Sequence, residues 1–171
     1  EADALYSGII IDTNNFTAKT GVRTFEAAAF LRRCGADVTR VRKMFRDDVK
    51  SYRAKAEAIR HVETYKTCFA IAVCPSEGID SPTVVASQAA NELLNVDSIK
   101  ATFVLTDYQG KIFISARAID EVNVQLIMEK MGGGGHINMA GAQLPGVTVE
   151  EAIRQLKATL DQMMKEGDIE V

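Results

Sequence analysis

Met131-Gly132-Gly133-Gly134-Gly135-His136 is the stretch of this 171-residue chain whose residue types point most directly to chemistry. Glycine carries no side chain, so successive backbone N–H groups can approach a ligand closely. A helix restarting near His136 would add free N–H groups that hold phosphate, with the imidazole as a further donor at the mouth. The plainer alternative is that Gly132 caps the preceding helix and the others form a flexible turn. Both readings stand on the glycines alone; a histidine directly after the run, one of two in the chain, favours phosphate. Ser115 and Arg117 are the next candidates. Two residues apart in a strand-like run, they share a face and can act together, unless they are ordinary polar residues at an exposed strand end. Arg117 is by type a bidentate phosphate fork or a stacking plane for a base. Asp12 stands at an element terminus, where a carboxylate is either a metal ligand or a cap. No second ligand-rich stretch exists in the chain, which favours the cap.

The elements that must position these residues are legible in part. Ile9–Ile11 reads as a buried strand or the end of a helix. Thr24 is expected to cap a helix that Gly35 stops. Asp37 is expected to start another, with Val38, Val41, Phe45 and Val49 on one face, and Tyr52, Ala56 and Ile59 mark a third helix reaching about Val62. Arg32, Arg33, Arg40, Arg42, Lys43, Arg46, Lys50 and Arg53 are interleaved with acids, which suits a solvated helical surface better than a nucleic-acid patch. Thr67–Cys74 reads as a buried strand, and Ser81-Pro82 as the start of a helix carrying Val85, Ala89 and Leu93. Ala101–Thr106 and Ile112–Ala118 form a hairpin around Asp107–Lys111. Val122–Met131 is a helix leading into the glycines, Ala142–Leu144 an edge strand stopped by Pro145-Gly146, and Thr148 with Glu151 a capping box for the last helix.

A composition of 47% hydrophobic and 25% charged residues is that of a soluble globular protein. A net charge of −3 argues against bulk nucleic-acid binding, so recognition of an anion would be local. No apolar run approaches the ~20 residues of a membrane span, and a cytoplasmic setting is expected. Cys34, Cys68 and Cys74 show no CxxC spacing and read as reduced, mostly buried thiols. The chain starts at Glu1 and is expected to be a piece of something longer.

Gly8–Phe16 followed by Arg23-Thr24-Phe25-Glu26-Ala27-Ala28 resembles the end of the catalytic domain of DHH-family phosphodiesterases. Ser115-Ala116-Arg117, Asn123–Glu129 and Gly132–His136 resemble the DHH-associated substrate-binding domain. Together they are most similar to cyclic-di-AMP phosphodiesterases of the GdpP type. The resemblance implies a mixed β-sheet flanked by helices over residues 64–171, preceded by a mostly helical remnant of the catalytic domain over 1–63. It implies substrate contacts from Ser115, Arg117, Gly132, Gly133, Gly134, Gly135 and His136, and a two-ion manganese centre in the parent enzyme. Asp12 is the single position matching a family metal ligand. The chain alone is therefore expected to bind cyclic-di-AMP or a related nucleotide without hydrolysing it, with the catalytic lobe as its partner. Relatives acting on short oligoribonucleotides or on phosphoadenosine phosphate are the alternative within the superfamily, and a non-catalytic interaction module is the alternative outside it. Ile9, Ile10, Ile11 and Phe16, without the catalytic lobe, are expected to be disordered, to fold back on the substrate lobe or to drive a homodimer; an upstream membrane anchor in the parent, and repulsion of anions by Asp120-Glu121 if they point inward, complete the expectations.

Overall fold

The computed structural model describes residues 1–119 and 122–169, so the acidic pair Asp120-Glu121 lies outside the described residues. The chain divides into two compact units, Glu1–Asp47 and Asp48–Val171.

The first unit holds α1 (Ala2–Asp12), α2 (Val22–Arg33) and α3 (Val38–Met44) around Tyr6, Ala28, Leu31, Ala36 and Val41. Of the two readings of Ile9–Ile11, the helix is the one realised, and Asp12 is its last residue. The Asp3 carboxylate ties α1 to α3, accepting from the Asp37 N–H at 2.7 Å and from Arg40 Nε at 2.8 Å. Thr24 is not the cap of α2: it occupies the third helical position, and its Oγ1 accepts from the N–H of Gly21, the true cap, at 3.3 Å. Asp37 caps α3 as expected, but that helix ends at Met44 and only Val41 of the anticipated face is buried. Phe45 and Val49 are exposed, because the chain turns and starts afresh with Asp48 as a new cap.

The second unit is a six-stranded sheet with helices on both faces. Its strands are β1 (Glu63–Tyr65), β2 (Phe69–Val73), β3 (Ala101–Tyr108), β4 (Lys111–Ala118), β5 (Gly134–His136) and β6 (Met139–Pro145). They lie in the order β1-β2-β3-β4-β6-β5, with β2 and β3 parallel and the other neighbours antiparallel. A parallel pair needs a crossover, and α5 (Pro82–Leu93) supplies it. One sheet face buries Phe69, Phe103, Leu105, Ile112 and Ile114 with α6 (Val124–Lys130) and α7 (Val149–Glu166). The other buries Ala70, Ala72 and Val104 with α5 and with α4 (Val49–Arg60). On α4 the buried residues are Ala54, Lys55 and Ala58, not Tyr52 and Ala56: the two alanines let that helix sit close to α5, and Lys55 reaches Glu92 of α5 at 2.9 Å.

The hairpin between β3 and β4 is tighter than its sequence suggested. The strands continue to Tyr108 and resume at Lys111, so only Gln109 (φ 53°) and Gly110 (φ 74°) turn, both in the left-handed region that a two-residue hairpin loop requires. Ala142–Leu144 is no edge: β6 runs from Met139 to Pro145 between β4 and β5. Thr148 caps α7 by accepting from the Glu151 N–H, and Gly167 closes that helix in the left-handed conformation. Among the described residues no helix is long and apolar enough to cross a membrane.

Cys68 and Cys74 are buried and Cys34 is exposed, and burial pushes the Cys74 thiol up to about 11. A thiolate-selective aromatic disulfide at pH 8 should therefore react rapidly with one thiol of the native protein and reach the other two only on unfolding. Rapid release of three equivalents from the native chain would contradict this burial.

Candidate functional site

Register places most of the sequence-derived candidates on one face. β4 residues alternate: Ile112, Ile114 and Ala116 enter the core, while Phe113, Ser115 and Arg117 face the α5 side. Their partners on β6 are Gln143, Gly141 and Met139, and β5 extends two of these rows with Gly134 opposite Gly141 and His136 opposite Met139. Directly paired residues share a face, so Ser115, Arg117, Gly134 and His136 look out from the same side of the sheet. The helices α4 and α5 cover that side over β2 and β3, and the sheet continues past them through β6 and β5. An open cleft of about 550 Å³ lies there, lined among others by Thr83, Phe113, Ser115, Gly134, Gly141 and Gln143. That volume is suited to a small-molecule ligand of nucleotide size.

The glycine run does not restart a helix. Gly132 (φ 77°) takes the left-handed position after α6, which lets the Gly133 N–H return to the Met128 carbonyl at 2.7 Å. Gly134–His136 is then a short edge strand, so the anticipated phosphate site at a helix N-terminus is absent. Two of the glycines are fixed by packing. A Cβ on Gly133 would strike the Gly141 carbonyl and lie 2.7 Å from Ala142 Cα, and one on Gly135 would lie 2.5 Å from Ala140 Cα. A Cβ on Gly134 would meet nothing within 4 Å. Gly132, Gly133 and Gly134 line the cleft; Gly135, His136 and Arg117 do not.

Arg117 is not the exposed fork that its sequence position suggested. The residue is 9% exposed and its guanidinium bonds to side chains of α5. Nε donates to Asn91 Oδ1 at 3.0 Å, one terminal nitrogen donates to the Ala116 carbonyl at 2.8 Å, and the other donates to Ser87 Oγ. All three acceptors are neutral. Among the described residues no carboxylate pairs with this guanidinium, and burial lowers its pKa below the usual arginine value. A buried cation normally has an anion beside it; this one has three neutral acceptors instead. Sequence reasoning missed Ser87 and Asn91. With Thr83 they recur every four residues along α5 and form a polar stripe beside the buried Val85, Ala86, Ala89 and Ala90, which is the signal that would have found them.

Asp12 is exposed at the end of α1, and among the described residues no group of three or more His, Cys, Asp or Glu side chains could hold a metal ion. The donors present do not fit a dinuclear manganese centre.

Residues 66–166 match the DHHA1 domain, well over half of the chain. The chain belongs to the DHHA1 family. It is 43% identical over 166 residues to the cyclic-di-AMP phosphodiesterase PdeA of Listeria monocytogenes, an alignment spanning 96% of this chain and 25% of that protein. It is also 43% identical over 169 residues to the cyclic-di-AMP phosphodiesterase GdpP of Bacillus subtilis, spanning 98% of this chain and 26% of that one. This DHHA1 chain thus spans about a quarter of the length of those relatives. In fold it is similar to an exopolyphosphatase-related protein from Bacteroides fragilis, with a TM-score of 0.83 over 95% of this chain and 50% of the other at 20% identity. The six-stranded mixed sheet flanked by helices agrees with the α/β architecture expected of a DHHA1 protein.

Proposed function

We propose that this chain is the substrate-binding part of a metal-dependent phosphodiesterase that hydrolyses cyclic-di-AMP to pApA, and that alone it binds the nucleotide without cutting it. The observation that carries the reading is Arg117, a desolvated cation with only neutral partners beside a glycine-floored cleft. A phosphate near that guanidinium would supply the missing counter-charge, and Ser115 and His136 would donate to its oxygens from the same sheet face. The names of the relatives point to the ligand. Catalysis would need the manganese ligands of a further lobe, since Asp12 by itself cannot hold two ions.

Incubation of the chain with cyclic-di-AMP and manganese, followed by chromatography, tests the catalytic half; the expected result is unchanged cyclic-di-AMP. Formation of pApA at the rate of a two-lobe relative would overturn it. Calorimetric titration tests the binding half, with phosphoadenosine phosphate and short oligoribonucleotides as competitors that separate the superfamily alternatives. The Cβ clashes at Gly133 and Gly135 favour a second reading, in which the glycines serve packing alone and the domain is an interaction module. That reading requires no heat with any nucleotide.

A further inference from the structure

We infer that the Phe113–Gln143 pair seats the nucleobase and selects adenine over guanine, an assignment that rests on the nucleotide-binding reading above. This sheet face carries three cross-strand rows, the third running under α5 at Arg117. Phe113 pairs with Gln143, Ser115 with Gly141 and Gly134, and Arg117 with Met139 and His136. The outer rows are four residues apart on β4, about 13 Å at the rise of a strand. The middle row contributes two glycines, so no side chain from β6 or β5 fills the space above it. A ligand laid across the rows meets an aromatic ring and a carboxamide at one end, bare backbone in the middle, and an imidazole near a buried cation at the other. That order matches base, sugar and phosphate.

Phe113 is half-buried at the cleft wall, and the Tyr108 ring braces it with centroids 6.3 Å apart and planes tilted by 53°. A braced ring is a stacking surface, but stacking accepts any base. Gln143 is the discriminating group. Its carboxamide is exposed and makes no hydrogen bond among the described residues. It presents a donor and an acceptor side by side. The edge of adenine that carries the exocyclic amine and N7 answers both, whereas the same edge of guanine, O6 and N7, offers two acceptors and satisfies only the donor.

The test is calorimetry of the whole chain with pApA, pGpG and inorganic pyrophosphate. The parent should bind pApA more tightly than pGpG. Gln143→Ala should weaken pApA about tenfold, bring the two dinucleotides to similar affinity, and leave pyrophosphate unchanged. Phe113→Leu should weaken both dinucleotides by similar factors and spare pyrophosphate. Undiminished discrimination in Gln143→Ala, with the parent still binding nucleotide, would overturn this assignment and leave the function standing. A parent that binds neither dinucleotide would overturn both.

Discussion

Gly133→Ala should lower the stability of the protein by about 3 kcal/mol, while Gly134→Ala, one residue along, should stay within about 0.5 kcal/mol of the parent. The contrast follows from what surrounds the two positions. The added methyl at Gly133 is driven into the Gly141 carbonyl and the Ala142 backbone, neither of which can rotate away as a flexible side chain would. Relief requires β6 to move, and β6 is held on its far side by β4 along seven paired residues. The methyl at Gly134 enters open space on the cleft side, so its effect should fall on ligand affinity instead. Urea unfolding followed by circular dichroism reads the first effect, and for a chain of this size the midpoint should fall by about 10 °C on heating. Equal stability of the two variants would show that β6 yields and that the glycine run is a loop after all.

This pair of substitutions also marks where the sequence stops being readable. Four glycines and a histidine announce a special backbone, and they do so correctly, but the same residues serve a helix restart or a flat edge strand equally well. The decision is tertiary. Gly133 and Gly135 must be glycine because β6 lies against them, and β6 was hard to recognise because Gly141 and Pro145 weaken its strand signature. Local capping signals were read with more success. Asp37 and Thr148 cap their helices, because a cap depends on residues only two or three positions away, and Ser81 stands where α5 begins although its side chain makes no capping bond. Thr24 misled for a related reason: Gly21 offers no side chain, and the threonine that closes the motif lies inside the helix it was expected to cap. Alternation along β4 placed Ser115 and Arg117 on one face without any structure. What alternation could not show is that α5 covers half of that face and closes over the arginine.

Arg117→Met should therefore separate binding from stability. Removing the guanidinium leaves Ser87 and Asn91, both half-exposed, able to turn to water, and leaves the Ala116 carbonyl without its 2.8 Å donor. The lost hydrogen bonds destabilise, but replacing a desolvated cation that has no carboxylate partner by an apolar chain of similar length stabilises. The two effects are of similar size, so the net change should be within about 1 kcal/mol. Nucleotide affinity has no such compensation. A phosphate that loses a buried cationic partner should bind about 100-fold more weakly. Arg117→Lys should fall between, because an ammonium keeps the charge but cannot hold Asn91, Ser87 and Ala116 together as the planar fork does. Calorimetry with pApA beside urea unfolding of the same preparations measures both quantities. An unfolded Arg117→Met protein would mean that the arginine is there to dock α5 on the sheet, and undiminished affinity in a folded one would remove it from the site. A stable protein that has lost its ligand is the expected outcome, and it would explain why a charge is kept under α5 where an apolar side chain would fit as well.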